Sequence, residues 1–180
     1  MFADNTLTPK ETVRLCALGT LALGTSRYDV LANSIRHFIS HITGPSLDVM
    51  GISIELLKHE GLIEISDKSS IEEDAELIIT ESGRIELKAL LTANVRPAAT
   101  EISKLVVALK FRFLHLLDST EQSIQTELLI EMTENELARL DDLHQHHANE
   151  EGYLVGWLNH DISLLEERLS WLEDFKRSLS

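Results

Sequence analysis

Five apolar residues near the C-terminal end of the chain recur at alternating spacings of four and three residues. They are Leu158, Ile162, Leu165, Leu169 and Leu172. Such a heptad repeat requires a long helix with one face packed against another helix. That partner can belong to the same chain or to a second copy. We expect these residues to form the seam of a helical homodimer, antiparallel or crossed.

The N-terminal half carries start and stop signals for several helices. A capping box at Thr8–Glu11 predicts a helix that ends near Leu23. We expect Ser26 to begin a second helix, Ser46 a third and Thr80 a fourth, because short hydroxyl side chains favour the N-cap position.

Two short apolar runs, 62–65 and 76–80, read as a β-hairpin between the third and fourth helices. Three helices, a hairpin and a helix give the order of a winged helix-turn-helix, although a generic small α+β domain has the same elements. Pro97 then interrupts helical hydrogen bonding. We predict a mainly α protein: an N-terminal winged helix-turn-helix domain, 1–96, followed by an all-α helical dimerisation domain, 97–180.

The charge balance is strongly acidic. The 180 residues include 16 basic and 30 acidic side chains, which gives a net charge of -14. This excess disfavours nonspecific binding to DNA or to anionic membranes. No apolar run approaches the roughly 20 residues of a membrane span, and the N-terminal residues lack the features of a signal peptide. We therefore expect a cytoplasmic protein without a membrane partner.

Motifs that carry catalysis are missing from the sequence. It has no Gly-rich phosphate loop and no nucleophile elbow, so we predict neither enzymatic activity nor a cofactor. His144, His147 and Glu150 could share a metal ion. The cluster is more typical of a polar helix end, and we predict no metal site there.

Several stretches resemble the PadR family of bacterial transcriptional regulators. They are ALGTLALG at 17–24, LLKHEGLI at 56–63, LIITESGR at 77–84, FLHLL at 113–117 and LLEERLSWLE at 164–173. The resemblance covers most of the chain. It implies a homodimer whose two third helices enter successive major grooves of double-stranded DNA. It also implies a small apolar ligand, for which core packing is an equal alternative at the candidate residues Phe111, Phe113, Tyr153 and Trp157.

One face of the third helix is the predicted contact surface. If Leu47, Met50, Ile54 and Leu57 face the core, the opposite side presents carboxylates and aliphatic groups rather than basic ones. The wing is acidic too, with Glu72, Glu73, Asp74 and Glu76. The candidate contacts to DNA or to a partner are Arg27, Ser46, Asp48, Val49, Ile52, Glu55, Lys58, His59, Lys68 and Arg84.

Two functions are compatible with this surface. The first is a PadR-like regulator that binds operator DNA as a homodimer, with few phosphate contacts because its wing is acidic. The second is a winged helix that no longer binds DNA and docks a protein partner through an apolar patch at Val49, Ile52 and Leu56.

Overall fold

The computed structural model describes residues 5–44, 54–66, 75–97 and 100–179. The chain divides into two compact units between Leu116 and Leu117. We call the first unit the head and the second the tail. The sequence predicts this boundary at Pro97 instead. The division lies later because the helix that follows Pro97 packs on two helices of the head.

The first helix, α1, spans Pro9–Leu23, as predicted. Its capping box is formed on both sides. The Glu11 amide donates to the Thr8 hydroxyl at 3.3 Å, and the Thr8 amide donates to the Glu11 carboxylate at 2.7 Å. Hydrogen bonds from the Thr8 hydroxyl and amide hold the pKa of Glu11 below its ordinary value.

The second helix, α2, spans Tyr28–Thr43 and buries the row Leu31, Ile35 and Ile39. The prediction that Ser26 caps this helix is wrong. Ser26 lies in a two-residue strand, β1 (Ser26–Arg27), and pairs with a strand of the hairpin. This pairing extends the backbone through residue 27, so Arg27 takes the N-cap position without a side-chain cap bond.

The hairpin of the head consists of β2 (Ile63–Ile65) and β3 (Glu76–Ile79), which are antiparallel. β1 pairs with the other edge of β3, which gives the strand order β1-β3-β2. The third helix, α3, precedes the hairpin and is described over Ile54–His59. With the helix that follows the hairpin, this is a winged helix, and the predicted fold class is confirmed.

The fourth helix, α4 (Glu81–Leu91), begins against the turn that connects α3 to β2. Thr80 caps it as predicted, since its hydroxyl accepts from the Gly83 amide at 3.1 Å. The Thr80 amide also donates to the Leu62 carbonyl at 3.0 Å. A Cβ at Gly83 would lie 2.1 Å from that carbonyl oxygen. Only glycine leaves room for this approach.

The fifth helix, α5 (Glu101–Phe113), packs on α1 and α2. Phe113 is fully buried, and its ring fills the space beside Gly19, where a Cβ would lie 2.5 Å from the ring. The Arg112 guanidinium lies 4.5 Å from the centre of the Phe38 ring. A 3-10 turn, Leu114–Leu116, then ends the head.

Lys110 of α5 is a buried cation in the core of the head. Its ammonium donates to the Leu91 carbonyl at the end of α4, at 2.5 Å. Burial lowers the pKa of Lys110 from 10.5 to about 8. Burial also raises the pKa of the Cys16 thiol from 9.0 to about 11.

We expect the free energy of unfolding to rise with pH between about 8 and 9. In this window the folded state has released the Lys110 proton while the unfolded state still holds it, so deprotonation favours folding by at most about 1.4 kcal/mol per pH unit. Above about pH 9 the unfolded state releases the Cys16 proton while the folded state still holds it. This lowers the free energy of unfolding and offsets the rise that Lys110 causes. Urea unfolding at pH 7, 8 and 9 measures this rise.

The matched control for this prediction lies on the same helix. Lys110→Met should remove the rise between pH 8 and 9, whereas Lys104→Met, at an exposed position of α5, should preserve it. Equal slopes for Lys110→Met and the unchanged protein would contradict this assignment.

The tail consists of two long helices, α6 (Ser119–His147) and α7 (Leu154–Ser178). The Asp118 carboxylate caps α6 by accepting from the Glu121 amide at 2.9 Å. An ion pair of Glu127 with Lys176 joins the start of α6 to the end of α7, so the helices form an antiparallel hairpin. No helix in the described part of the chain has both the length and the apolar character to cross a bilayer.

The predicted dimer seam supplies much of the packing inside this hairpin. Leu158, Leu165 and Leu172 are buried within a single chain, with at most 8% of each side chain exposed. Ile162 and Leu169 are half-buried. Burial of the three leucines is therefore accounted for within a single chain. A role of the repeat in a dimer stays a prediction.

Candidate nucleic-acid interface

The described part of α3 shows the two faces that its sequence predicts. Ile54 and Leu57 are buried in the head, whereas Glu55, Leu56 and His59 are exposed. Leu56 leaves 47% of its surface in contact with solvent. The outer face of the helix thus combines a carboxylate, an aliphatic side chain and an imidazole.

A groove lies where α3 meets the start of α2 and the base of the hairpin. Its volume is about 620 Å³. The described residues that line it are Arg27, Tyr28, Asp29, Glu55, Lys58, Ile65, Ala75 and Leu77. The side of the groove formed by the two helices is therefore polar, and the side formed by the hairpin is apolar.

Each basic side chain of the groove is paired with a carboxylate from its own segment. The Arg27 guanidinium lies 3.3 Å from the Asp29 carboxylate. The Lys58 ammonium lies 3.6 Å from the Glu55 carboxylate, one helical turn away. These pairs are partly exposed, so each adds little stability and can exchange its partner at low cost.

The start of α2 opens onto the same groove. Arg27 occupies the N-cap position without a side-chain bond to the first amides of the helix. Backbone N–H groups at a helix start, together with the helix dipole, favour an anion such as a phosphate. Asp29, in the first turn, already places one negative charge there.

Other predicted contacts lie outside this groove. His59 and Arg84 are exposed, and neither is part of its described lining. A further basic side chain of the head, Arg14, is held by Glu60 at 2.9 Å and by Glu86 at 3.1 Å, so it links three segments of the head. The predicted contacts Ser46, Asp48, Val49, Ile52 and Lys68, and the acidic wing residues Glu72, Glu73 and Asp74, lie outside the described residues.

Two polar members of the groove, Tyr28 and Asp29, were not predicted from the sequence. Tyr28 falls in the apolar row of α2 by its spacing, yet it is 46% exposed and lines the groove. The predicted helix start at Ser26 placed Tyr28 inside the first turn, whereas it is the first residue of α2 in the structure. The pairing of Asp29 with Arg27 is seen only in the structure, because residues at an i, i+2 spacing do not face each other on a helix.

The aromatic residues proposed to line a small-molecule pocket differ in burial, and some belong to the head and others to the tail. Phe113 is fully buried in the head against Gly19, which accounts for it as a core residue. Tyr153 and Trp157 belong to the tail and are 94% and 55% exposed. The core-packing alternative therefore holds for Phe113.

The sequence profile of a family described as "Putative AphA-like transcriptional regulator" matches residues 2–176. The chain belongs to this family. The predicted kind of protein, a transcriptional regulator, is thereby confirmed. No curated protein sequence matches this AphA-like regulator significantly.

Among solved structures, this AphA-like regulator is similar to Bacillus subtilis PadR in complex with operator DNA. The two chains share 19% identity with a TM-score of 0.37, over 93% of this chain and 98% of that one. That protein carries the name of the family that the sequence resembles.

Proposed function

We propose that this AphA-like regulator binds operator DNA as a homodimer, with α3 in the major groove and the head groove on the sugar-phosphate backbone. The observation that carries the proposal is the convergence of Arg27, Lys58 and the uncapped start of α2 beside the exposed face of α3. Two cations and a helix N-terminus form the kind of surface that phosphates occupy.

The paired carboxylates set the strength of this binding. A phosphate that approaches Lys58 must compete with Glu55, and one that approaches Arg27 must compete with Asp29. The net charge of -14 adds a general repulsion. We therefore expect one head alone to bind weakly, so that two heads in one dimer are needed for a stable complex.

Glu55→Gln should strengthen DNA binding by roughly threefold to tenfold for each bound head at low salt, because a charge beside a phosphate contributes about 1 kcal/mol in a solvated site. Asp29→Asn should act in the same direction. Lys58→Gln should weaken binding by a similar factor and reduce the salt slope by about 0.9 for each phosphate that is no longer neutralised. Fluorescence anisotropy of a labelled duplex measures all three.

Matched controls lie on α5. Glu101→Gln and Lys104→Gln change the net charge by the same amounts at exposed positions of the head outside the described groove lining. If they change the affinity as much as Glu55→Gln and Lys58→Gln do, the effect comes from total charge and the groove is not the contact surface.

A different face of α7 is the proposed dimer seam. Trp157, Leu164 and Trp171 recur every seven residues, and each leaves more than half of its surface exposed, at 55%, 52% and 52%. At about 100° per residue they form one stripe, beside the leucines that face the inside of the hairpin. An exposed stripe with two tryptophans is typical of an interface.

The spacing of this stripe is self-complementary. Leu164 lies midway between Trp157 and Trp171, so a twofold axis at Leu164 would place Trp157 of one copy opposite Trp171 of the other. A closed dimer with the same patch on both subunits requires this symmetry. The exposed Tyr153 would meet Phe175, whose ring stacks on Trp171 at 5.6 Å.

Docking of a protein partner is the second candidate function, and the exposure of Leu56 favours it. This side chain stands beside Glu55 on the outer face of α3 and is 47% exposed. On this hypothesis Leu56→Lys would abolish a protein complex. On the first hypothesis the same substitution adds a cation near DNA, and the affinity for duplex should rise or stay unchanged.

A further inference from the structure

Two histidines one helical turn apart face solvent together in the second half of α2. His37 and His41 are both exposed. Their imidazole rings stack, with centroids 4.0 Å apart and planes inclined by 26°. The pair is separate from the head groove, to which α2 contributes Tyr28 and Asp29 at its start.

Hydrogen bonding fixes which nitrogen of His41 is available. Its Nδ1 lies 2.7 Å from the backbone carbonyl oxygen of His37. A carbonyl oxygen only accepts, so Nδ1 carries a proton, and in the neutral ring Nε2 is the nitrogen that keeps its lone pair. Histidines that bind metals commonly donate their second N–H to a backbone carbonyl in this way, which holds the ring and strengthens the ligating nitrogen.

We propose that His37 and His41 form a two-ligand site for a divalent late transition-metal ion, with water in the other positions. The i, i+4 spacing is the one by which helices present two histidines to zinc. Ligands about 2.0–2.1 Å from one ion stand about 3 Å from each other. The two rings, with centroids 4.0 Å apart, stand close enough for side-chain rotation to bring both ligating nitrogens to one ion.

The chemistry of the site selects the class of metal. Imidazole nitrogen suits Cu²⁺, Ni²⁺ and Zn²⁺, and Cu²⁺ binds most strongly among them. Across the described residues, no three His, Cys, Asp or Glu side chains converge on one point. The site thus offers two protein ligands, and its affinity rests on the chelate that these two form.

Isothermal titration of the full chain with CuCl₂ tests the site. His37→Gln and His41→Gln should each weaken copper binding at least tenfold, and the double variant should be no weaker than either single one. This non-additivity is expected because removal of either ligand destroys the chelate. Both positions are exposed on a helix, where glutamine is well tolerated.

The second histidine cluster of the chain provides the control. His147 of α6 bonds Glu150 through its Nδ1 at 2.6 Å. His144→Gln with His147→Gln should leave the copper site on α2 intact. Unchanged copper affinity in the His37→Gln/His41→Gln variant, or single-variant effects that add as for two independent weak sites, would overturn the proposal.

Discussion

Trp157→Glu with Trp171→Glu is expected to dissociate the proposed homodimer into monomers. Each tryptophan leaves more than half of its surface exposed on one stripe of α7, and twofold symmetry counts each substitution twice. Removal of a tryptophan anchor costs about 2–4 kcal/mol at an interface. The dissociation constant should therefore rise by about 1,000-fold or more. Sedimentation velocity over a concentration series measures it.

The control for this variant adds the same charge to the other side of α7. Asn159→Glu with Ser170→Glu replaces exposed residues that point away from the stripe at about 100° per residue. This pair should leave the dimer intact. A dimer that persists in the tryptophan variant, or that dissociates equally in both, would refute the stripe as the seam. The monomer should also bind a two-site operator far more weakly, because the second head no longer adds to the first.

Gly83→Ala is expected to destabilise the head by about 3 kcal/mol or more. The new Cβ would lie 2.1 Å from the Leu62 carbonyl oxygen. That oxygen accepts the Thr80 amide at 3.0 Å, so it cannot move away without breaking the bond that joins α4 to the hairpin. Urea unfolding followed by circular dichroism measures the change.

Gly24→Ala is the matched control in the same unit. Its backbone is extended, with φ of 164°, and a Cβ there would meet no atom within 4 Å. The substitution should change the free energy of unfolding by less than about 1 kcal/mol. Similar effects of Gly83→Ala and Gly24→Ala would contradict the close approach of α4 to the hairpin.

Local signals in the sequence predicted most of the head. The capping box at Thr8, the cap at Thr80 and the two short strands each depend on neighbouring residues, and these features are confirmed. β1 was missed because two residues cannot show a strand period. Its pairing with β3 also moved the start of α2 and left Arg27 without a capping role.

Nonlocal partners explain what the sequence did not show. A heptad repeat indicates that Leu158, Leu165 and Leu172 pack on a helix, but its period is the same whether that helix belongs to this chain or to another. The structure places them inside the tail hairpin. The second stripe, with both tryptophans, has a seven-residue spacing that the sequence also contains, but the denser leucine pattern concealed it.

The lining of the candidate groove could not be predicted from local sequence signals either, because tertiary contacts bring its residues together. Tyr28 has the spacing of a core residue of α2, and only the position of the helix start beside the hairpin shows that it lines the groove. The pairing of Arg27 with Asp29 and of Lys58 with Glu55 is the physical reason why the proposed phosphate contacts are expected to be weak.

A fluorescence anisotropy titration of the unmodified protein tests the central claim most directly. The labelled duplex would come from upstream of the protein's own gene, with an unrelated duplex of equal length as control, at several salt concentrations. We predict preferential binding to the upstream duplex that weakens as salt rises, with a slope set by few phosphate contacts. Failure to bind either duplex at low salt would contradict the account and would favour a protein partner for the exposed face of α3.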